Sequence, residues 1–162
     1  TSLMTRNEGP WFYQQLDLGY NYRMTDIQCA LGCSQMKKLD YFLARRRTIV
    51  ARYNEAFADC RNIVTPYQMP DTNSGWHLYI IQVKNRDRKE VFEKLRERGI
   101  GVNVHYIPVY EHPYYQEHGY KGVHCPVAEE VYSHIISLPV FPRLTEEQQE
   151  EVIKVVKQVV EE

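Results

Sequence analysis

The closing residues constrain the fold of this chain more than any other stretch. Val152, Val155, Val156 and Val159 recur at the spacing of one helix face. Thr145 stands where a hydroxyl caps the first turn, and Glu146 and Glu147 follow where the helix dipole favours negative charge. A helix with one such stripe draws most of its stability from covering it, so a second layer must be found in the chain.

The upstream segments supply that layer. Trp76-His77-Leu78-Tyr79-Ile80-Ile81-Gln82-Val83 is β-branched and aromatic and too short for a buried helix, which predicts a central strand. Asp87 and Glu90 form an acidic start to a helix striped by Val91, Phe92 and Leu95, and Gly99 closes it. Residues 100–107 read as the next strand, with Val102, Val104 and Tyr106 on one side and Asn103 and His105 on the other. Pro126 suits the first turn of a short helix running through Val127, Val131 and Ile135. Ser137 to Val140 is a short strand whose Pro139 favours an edge or an end, and Asn62 to Val64 offers one more.

At the other end, Thr25-Asp26-Ile27-Gln28 is a capping box that opens a helical pattern through Ala30 and Leu31. The pattern resumes at Leu39 and continues through Ile49, Val50, Tyr53 and Phe57 after a break near Leu39-Asp40. Lys37, Lys38, Arg45, Arg46, Arg47 and Arg52 read as the solvated face. This order predicts an α+β fold: two layers, helices packed on a small, mainly antiparallel sheet, preceded by a long helical segment.

Composition narrows the function classes. With 20 basic and 21 acidic side chains among 162 residues, the net charge of −1 argues against a nucleic-acid module. Apolar runs are only a few residues long, which excludes a membrane-spanning helix, and the start does not have the pattern of a secretory signal. Cys29, Cys33, Cys60 and Cys125 do not complete a metal-ligand set, so buried free thiols in a reducing cytosol are expected. The chain opens on Thr1, and residues 1–23 are irregular and rich in aromatics, as if leading out of something larger. The expected organisation is a loop over 1–24, a helical connector over 25–58, and a small α/β domain over 59–162.

Two groups of polar and aromatic residues could carry chemistry, one around Leu18–Asp26 and one from Gly99 to Tyr115. Asn21 lies just ahead of a helix N-terminus, where an amide can donate to a phosphate oxygen. The plainer alternative is that it shapes the turn. Arg23 can pair with an anionic ligand or with Asp26. His105, at a strand end beside several tyrosines, can bind a hydroxylated ligand or serve as a structural histidine. His77 reads as structural, and His112, His118, His124 and His134 lack ligand-like spacing.

Taken together, several of these segments resemble a known family. The run LGYNYRMTDIQCALGCSQMKKLDYFLARRRTIVARYNEAF is similar to the DegT/StrS-type sugar-nucleotide aminotransferases, which are fold-type I pyridoxal-phosphate (PLP) enzymes. WHLYIIQV, RERGIGVNVHYIPVY, HPYY, CPVAEEVYSHIISLPVFPRLTEEQ and the closing helix follow in the same order. Within the family, GVNVHYIPVY followed by HPYY looks most like the UDP-4-keto-6-deoxy-N-acetylhexosamine aminotransferases of pseudaminic acid biosynthesis.

The resemblance implies an amino transfer, with glutamate as donor, to the C4 ketone of a nucleotide-linked keto sugar in a cytoplasmic homodimer. It implies that Asn21 reaches the PLP phosphate of the partner subunit, that Arg23 and Tyr20 flank that site, and that His105 and Tyr106 contact the sugar nucleotide. It also implies that the Schiff-base lysine comes from an upstream α/β domain. The lysines here (Lys37, Lys38, Lys84, Lys89, Lys94, Lys121, Lys154 and Lys157) lie on polar faces or in loops, without the apolar setting that activates an amine. No catalytic residue is therefore expected in this chain, and residues 1–162 alone are expected to be inactive. Two alternatives stay open: a non-catalytic binding or regulatory domain of the same fold, and a member that dehydrates instead of aminating.

Overall fold

The structure, a computed structural model, describes residues 9–162. Residues 1–8, part of the loop expected over 1–24, lie outside the described residues. The chain divides into two compact units, Thr1–Lys37 and Lys38–Glu162.

In the first unit an irregular segment leads to α1 (Asp26–Met36). The expected capping box is formed: Gln28 N–H donates to Thr25 Oγ1 at 3.3 Å, and Thr25 N–H donates to Gln28 Oε1 at 2.9 Å. No residue of α1 is buried; Ile27 is 84% and Leu31 61% exposed. The helix ends at Met36 with Lys37 as its C-cap, so the break falls just ahead of the expected Leu39-Asp40.

The second unit begins with α2 (Leu39–Phe57), followed by β1 (Ile63–Val64), β2 (Tyr79–Val83) and α3 (Arg88–Glu97). Short helical turns at Val109–Glu111, α4 (Pro113–Tyr115) and Gln116–Tyr120 precede α5 (Pro126–His134), β3 (Ile135–Leu138) and α6 (Glu146–Glu161). The sheet is antiparallel with order β1-β2-β3, so the Trp76–Val83 segment supplies the central strand as expected. It pairs only from Tyr79, because Trp76 adopts a left-handed backbone (φ 48°) that cannot continue a ladder. Gly99, at φ 82°, closes α3 in the left-handed conformation its position requires.

Antiparallel register assigns the two faces of the sheet. Tyr79 lies opposite Leu138 and Ile81 opposite Ile136, and all four are buried in the main core with Val83. Against them pack Ile49, Tyr53 and Phe57 of α2, Val91 and Leu95 of α3, and the full valine stripe of α6. Tyr53 donates to Pro139 O at 2.9 Å and Tyr79 to Asn54 Oδ1 at 2.7 Å, so neither buried hydroxyl lacks a partner. Ile80, Gln82, Ile135 and Ser137 occupy the opposite face.

Four expectations are corrected. Residues 100–107 do not form a strand; only Asn103 bridges to Ser137, outside the named strands. The physical reason is local: the Val104 N–H is taken by the Asn103 side chain at 2.8 Å and the Val102 N–H by Ile100 O at 2.9 Å, leaving only the pair of backbone bonds between Asn103 and Ser137. The alternation fails with it, since Val102 is buried while Tyr106 is 72% exposed.

The cysteines are free but not buried. Cys29, Cys33 and Cys125 are exposed and Cys60 is half-buried, because α1 and the approach to α5 have no layer of the described residues over them. The arginines of α2 are not simply a solvated face either. Arg46 Nη1 donates to Trp76 O at 2.9 Å, His77 O at 3.2 Å and Val140 O at 3.0 Å, and Arg45 Nη2 donates to Leu144 O at 3.0 Å. A guanidinium fork reaches several carbonyls at once, which ties the ends of β2 and β3 to α2. Finally, Val127 and Val131 of α5 stay 77% and 37% exposed, so the apolar stripe expected there is only partly covered.

Candidate functional site

The first candidate group lies in the first unit. Tyr20 and Tyr22 stack with ring centroids 5.1 Å apart, and Asn21 sits between them in sequence. Tyr20, Asn21 and Arg23 are all exposed. Neither the Asn21 amide nor the Arg23 guanidinium engages another side chain or carbonyl among the described residues, and Arg23 forms no ion pair with Asp26. The cap at Thr25 positions the α1 N-terminus directly after them. A free amide, a free guanidinium and a helix N-terminus form a donor set suited to an exposed phosphate. The chemistry of these residues therefore fits a phosphorylated cofactor.

The second group lies in the second unit, on the sheet face opposite the main core. His105 Nδ1 is 2.8 Å from Ser137 Oγ, and Ser137 is one of two buried polar residues among the described ones. Asn103 Nδ2 stands 3.4 Å from His105 Nε2. The Tyr106 ring meets the His105 ring edge-on, with centroids 4.6 Å apart. His105 is half-buried and anchored, whereas Tyr106 is largely exposed. This pairing offers an anchored imidazole and a free phenol on one surface. His77 is exposed and meets Arg46 only through its backbone carbonyl.

Sequence reasoning missed a third group. Tyr110, Glu111, Gln116, His124 and Glu129 line an open cavity of about 680 Å3. Glu129 Oε1 accepts from Cys125 N–H and from Tyr110 O–H, both at 2.9 Å, and His124 Nδ1 lies 3.5 Å away. The Cys125 N–H, and then the Tyr110 hydroxyl, hold the Glu129 carboxyl below the usual carboxylate range. Burial and the bond to Glu129 push Tyr110 up to about 12. The only available signal was an acid in the first turn of a proline-started helix. Ser137 likewise had no local signal, because its partner His105 is 32 residues away.

None of the lysines is buried, and Lys84, Lys89, Lys94 and Lys154 stand in ion pairs with nearby glutamates. Among the described residues no cluster of metal-ligating side chains occurs. None of the described helices is long and apolar enough to cross a membrane.

Comparison with known proteins places this geometry in context. Residues 3–157 match the DegT/DnrJ/EryC1/StrS aminotransferase family. The chain is 38% identical to the spore coat polysaccharide biosynthesis protein SpsC of Bacillus subtilis over 95% of its length. It is 39% identical, over 66% of its length, to a UDP-4-amino-4,6-dideoxy-N-acetyl-beta-L-altrosamine transaminase of Campylobacter jejuni. Among solved structures it resembles Helicobacter pylori PseC, an aminotransferase involved in the biosynthesis of pseudoaminic acid, with TM-score 0.87, 28% identity and 96% coverage. A putative sugar aminotransferase from Streptococcus pneumoniae, in its PMP form, matches with TM-score 0.87, 31% identity and 96% coverage. The chain spans 41%, 29%, 43% and 40% of these four proteins, in that order.

Proposed function

This chain belongs to the DegT/DnrJ/EryC1/StrS aminotransferase family, and from that premise we propose that it is the C-terminal part of a PLP-dependent sugar-nucleotide aminotransferase. The amino group passes from a donor such as glutamate to the C4 ketone of a nucleotide-linked keto sugar. The names of the Campylobacter and Helicobacter relatives support that substrate class. The observation that carries the reading is the free Asn21 amide beside Arg23 at the α1 N-terminus.

When bound, PLP supplies the electron sink for the transfer. Asn21 donates its amide to the PLP phosphate of a partner subunit in a homodimer, a charge-assisted bond stronger than a neutral one. Arg23 adds positive charge at the same place, and Tyr20 shields it from water. His105 and Tyr106 line the sugar pocket, where the imidazole and phenol orient hydroxyl groups of the substrate. The loop over 1–24 leads from a PLP-binding domain, 25–58 connects, and 59–162 forms the small domain. Residues 1–162 by themselves do not turn over, since their lysines lie on solvated surfaces.

Subunit mixing tests this reading in the full-length polypeptide. Asn21→Ala is expected to weaken PLP retention roughly ten- to a hundred-fold, the effect of losing one hydrogen bond to a charged group. Mixing Asn21→Ala subunits with subunits lacking the Schiff-base lysine restores activity, because one site of each heterodimer regains both groups. Unchanged retention in the Asn21 variant, or no restoration on mixing, sinks the assignment.

A further inference from the structure

The contacts around His105 determine more than its position. Asn103 Oδ1 accepts the Val104 N–H at 2.8 Å, and this contact fixes which end of the amide is oxygen. The NH2 end therefore faces His105 Nε2, at 3.4 Å. An amide N–H facing a ring nitrogen requires a lone pair there, since two donors repel. With Nε2 as the acceptor, the neutral ring carries its proton on Nδ1, which donates to Ser137 Oγ at 2.8 Å. Both backbone bonds between Asn103 and Ser137 hold the two partners in place: Ser137 N–H donates to Asn103 O at 2.7 Å and Asn103 N–H to Ser137 O at 3.3 Å.

We propose that Asn103 and Ser137 act as positioning residues that lock His105 in its Nδ1–H tautomer, presenting Nε2 as a hydrogen-bond acceptor. The geometry of the bridge carries this directly. Ser137 is buried and sits on a sheet edge, so its hydroxyl cannot follow the ring if the ring turns. Asn103 is exposed, and its contact with Nε2 is long. A ligand hydroxyl can thus replace the Asn103 amide at Nε2 without disturbing the Nδ1–H bond below it. The clamp selects a ligand group that donates, such as a sugar hydroxyl, over one that only accepts, such as a carbonyl or phosphate oxygen. That consequence rests on the sugar-pocket reading above, while the tautomer itself does not.

Long-range proton–nitrogen correlation spectra of 15N-histidine-labelled protein, at a pH where the imidazoles are neutral and without ligand, read the tautomer directly. The His105 signals are identified by their loss in His105→Gln. The expected result is a protonated Nδ1 and an unprotonated Nε2. In Ser137→Ala and in Asn103→Leu the ratio of Nδ1–H to Nε2–H falls about fivefold, the weight of one neutral hydrogen bond. Asn103 is on the surface, so its variant keeps the fold even if Ser137→Ala does not. A predominantly Nε2–H ring in the unaltered protein overturns the proposal, as does a tautomer ratio unchanged in both variants. Because ligand is absent, failure of the sugar-pocket reading leaves this result standing. That failure is seen instead as an unchanged KM for the keto-sugar nucleotide in the His105→Gln holoenzyme.

Discussion

Helices α1 and α6 start with the same device and end in opposite circumstances. Thr25 with Gln28 and Thr145 with Gln148 form matching capping boxes, each with both reciprocal bonds made. Yet α6 buries Gln149, Val152, Ile153, Val155, Val156, Val159 and Val160, whereas α1 buries none of its residues. A cap therefore specifies where a helix begins and says nothing about whether its apolar side chains find a core. In the second unit the caps serve a packed layer. In the first, Trp11, Tyr13, Leu18 and Ile27 remain at least three-quarters exposed, with Trp11 at 75%.

The sharpest way to break this contrast is to truncate one apolar side chain in each unit. Phe57→Ala is expected to cost about 3–5 kcal/mol in urea unfolding of the second unit, as buried aromatic truncations do. Ile27→Ala should move the same transition by no more than about 0.5 kcal/mol. Equal losses would mean that α1 shares the core after all.

Alkaline titration sharpens the comparison next. Burial raises the phenols of Tyr53 and Tyr79 above their ordinary range, with neighbouring Tyr79 adding to the effect on Tyr53. A folded-state value above the unfolded one means that the contribution is fully present below a pH of about 10, the unfolded phenol's range. It is lost as pH rises from there through the folded values. Stability of the second unit should therefore decline above that point, and Tyr79→Phe should flatten the decline. A slope identical in the variant would remove the buried tyrosines as its cause.

The smallest expected effect comes from the caps themselves. Thr145→Ala should cost the second unit about 1 kcal/mol, read from its unfolding midpoint. Thr25→Ala should lower helical signal while leaving that midpoint in place. A matching shift from both would contradict the contrast between a helix that buries a stripe and one that buries none.

Much of the fold was legible because its signals are local. Thr25, Asp87 and Thr145 each cap the helix that their sequence context announces, Gly99 closes α3, and Pro126 opens α5. The candidate site was legible only in part. His105 and Tyr106 stand together on one surface, and Asn21, Arg23 and Tyr20 share one exposed segment. The clamp on His105, the Glu129 cluster and the role of Arg46 could not be read from spacing. Each depends on groups brought together from distant parts of the chain or on competition among nearby backbone donors.

The residues between Gly99 and Pro108 show that competition most clearly. Alternation there suggested a strand, but Asn103 and Ile100 take the neighbouring N–H groups, leaving one bridge to Ser137. The sequence by itself determined the capped helix starts, the central strand and the family, since these rest on contacts within a few residues or on ordered motifs, whereas Ile135, expected in α5, opens β3. Only the tertiary structure decided which apolar stripes are covered, that three cysteines are exposed, and which serine holds His105. Those outcomes depend on pairs such as Arg46 with Val140, 94 residues apart, whose meeting is set by how the layers close and by no single local preference.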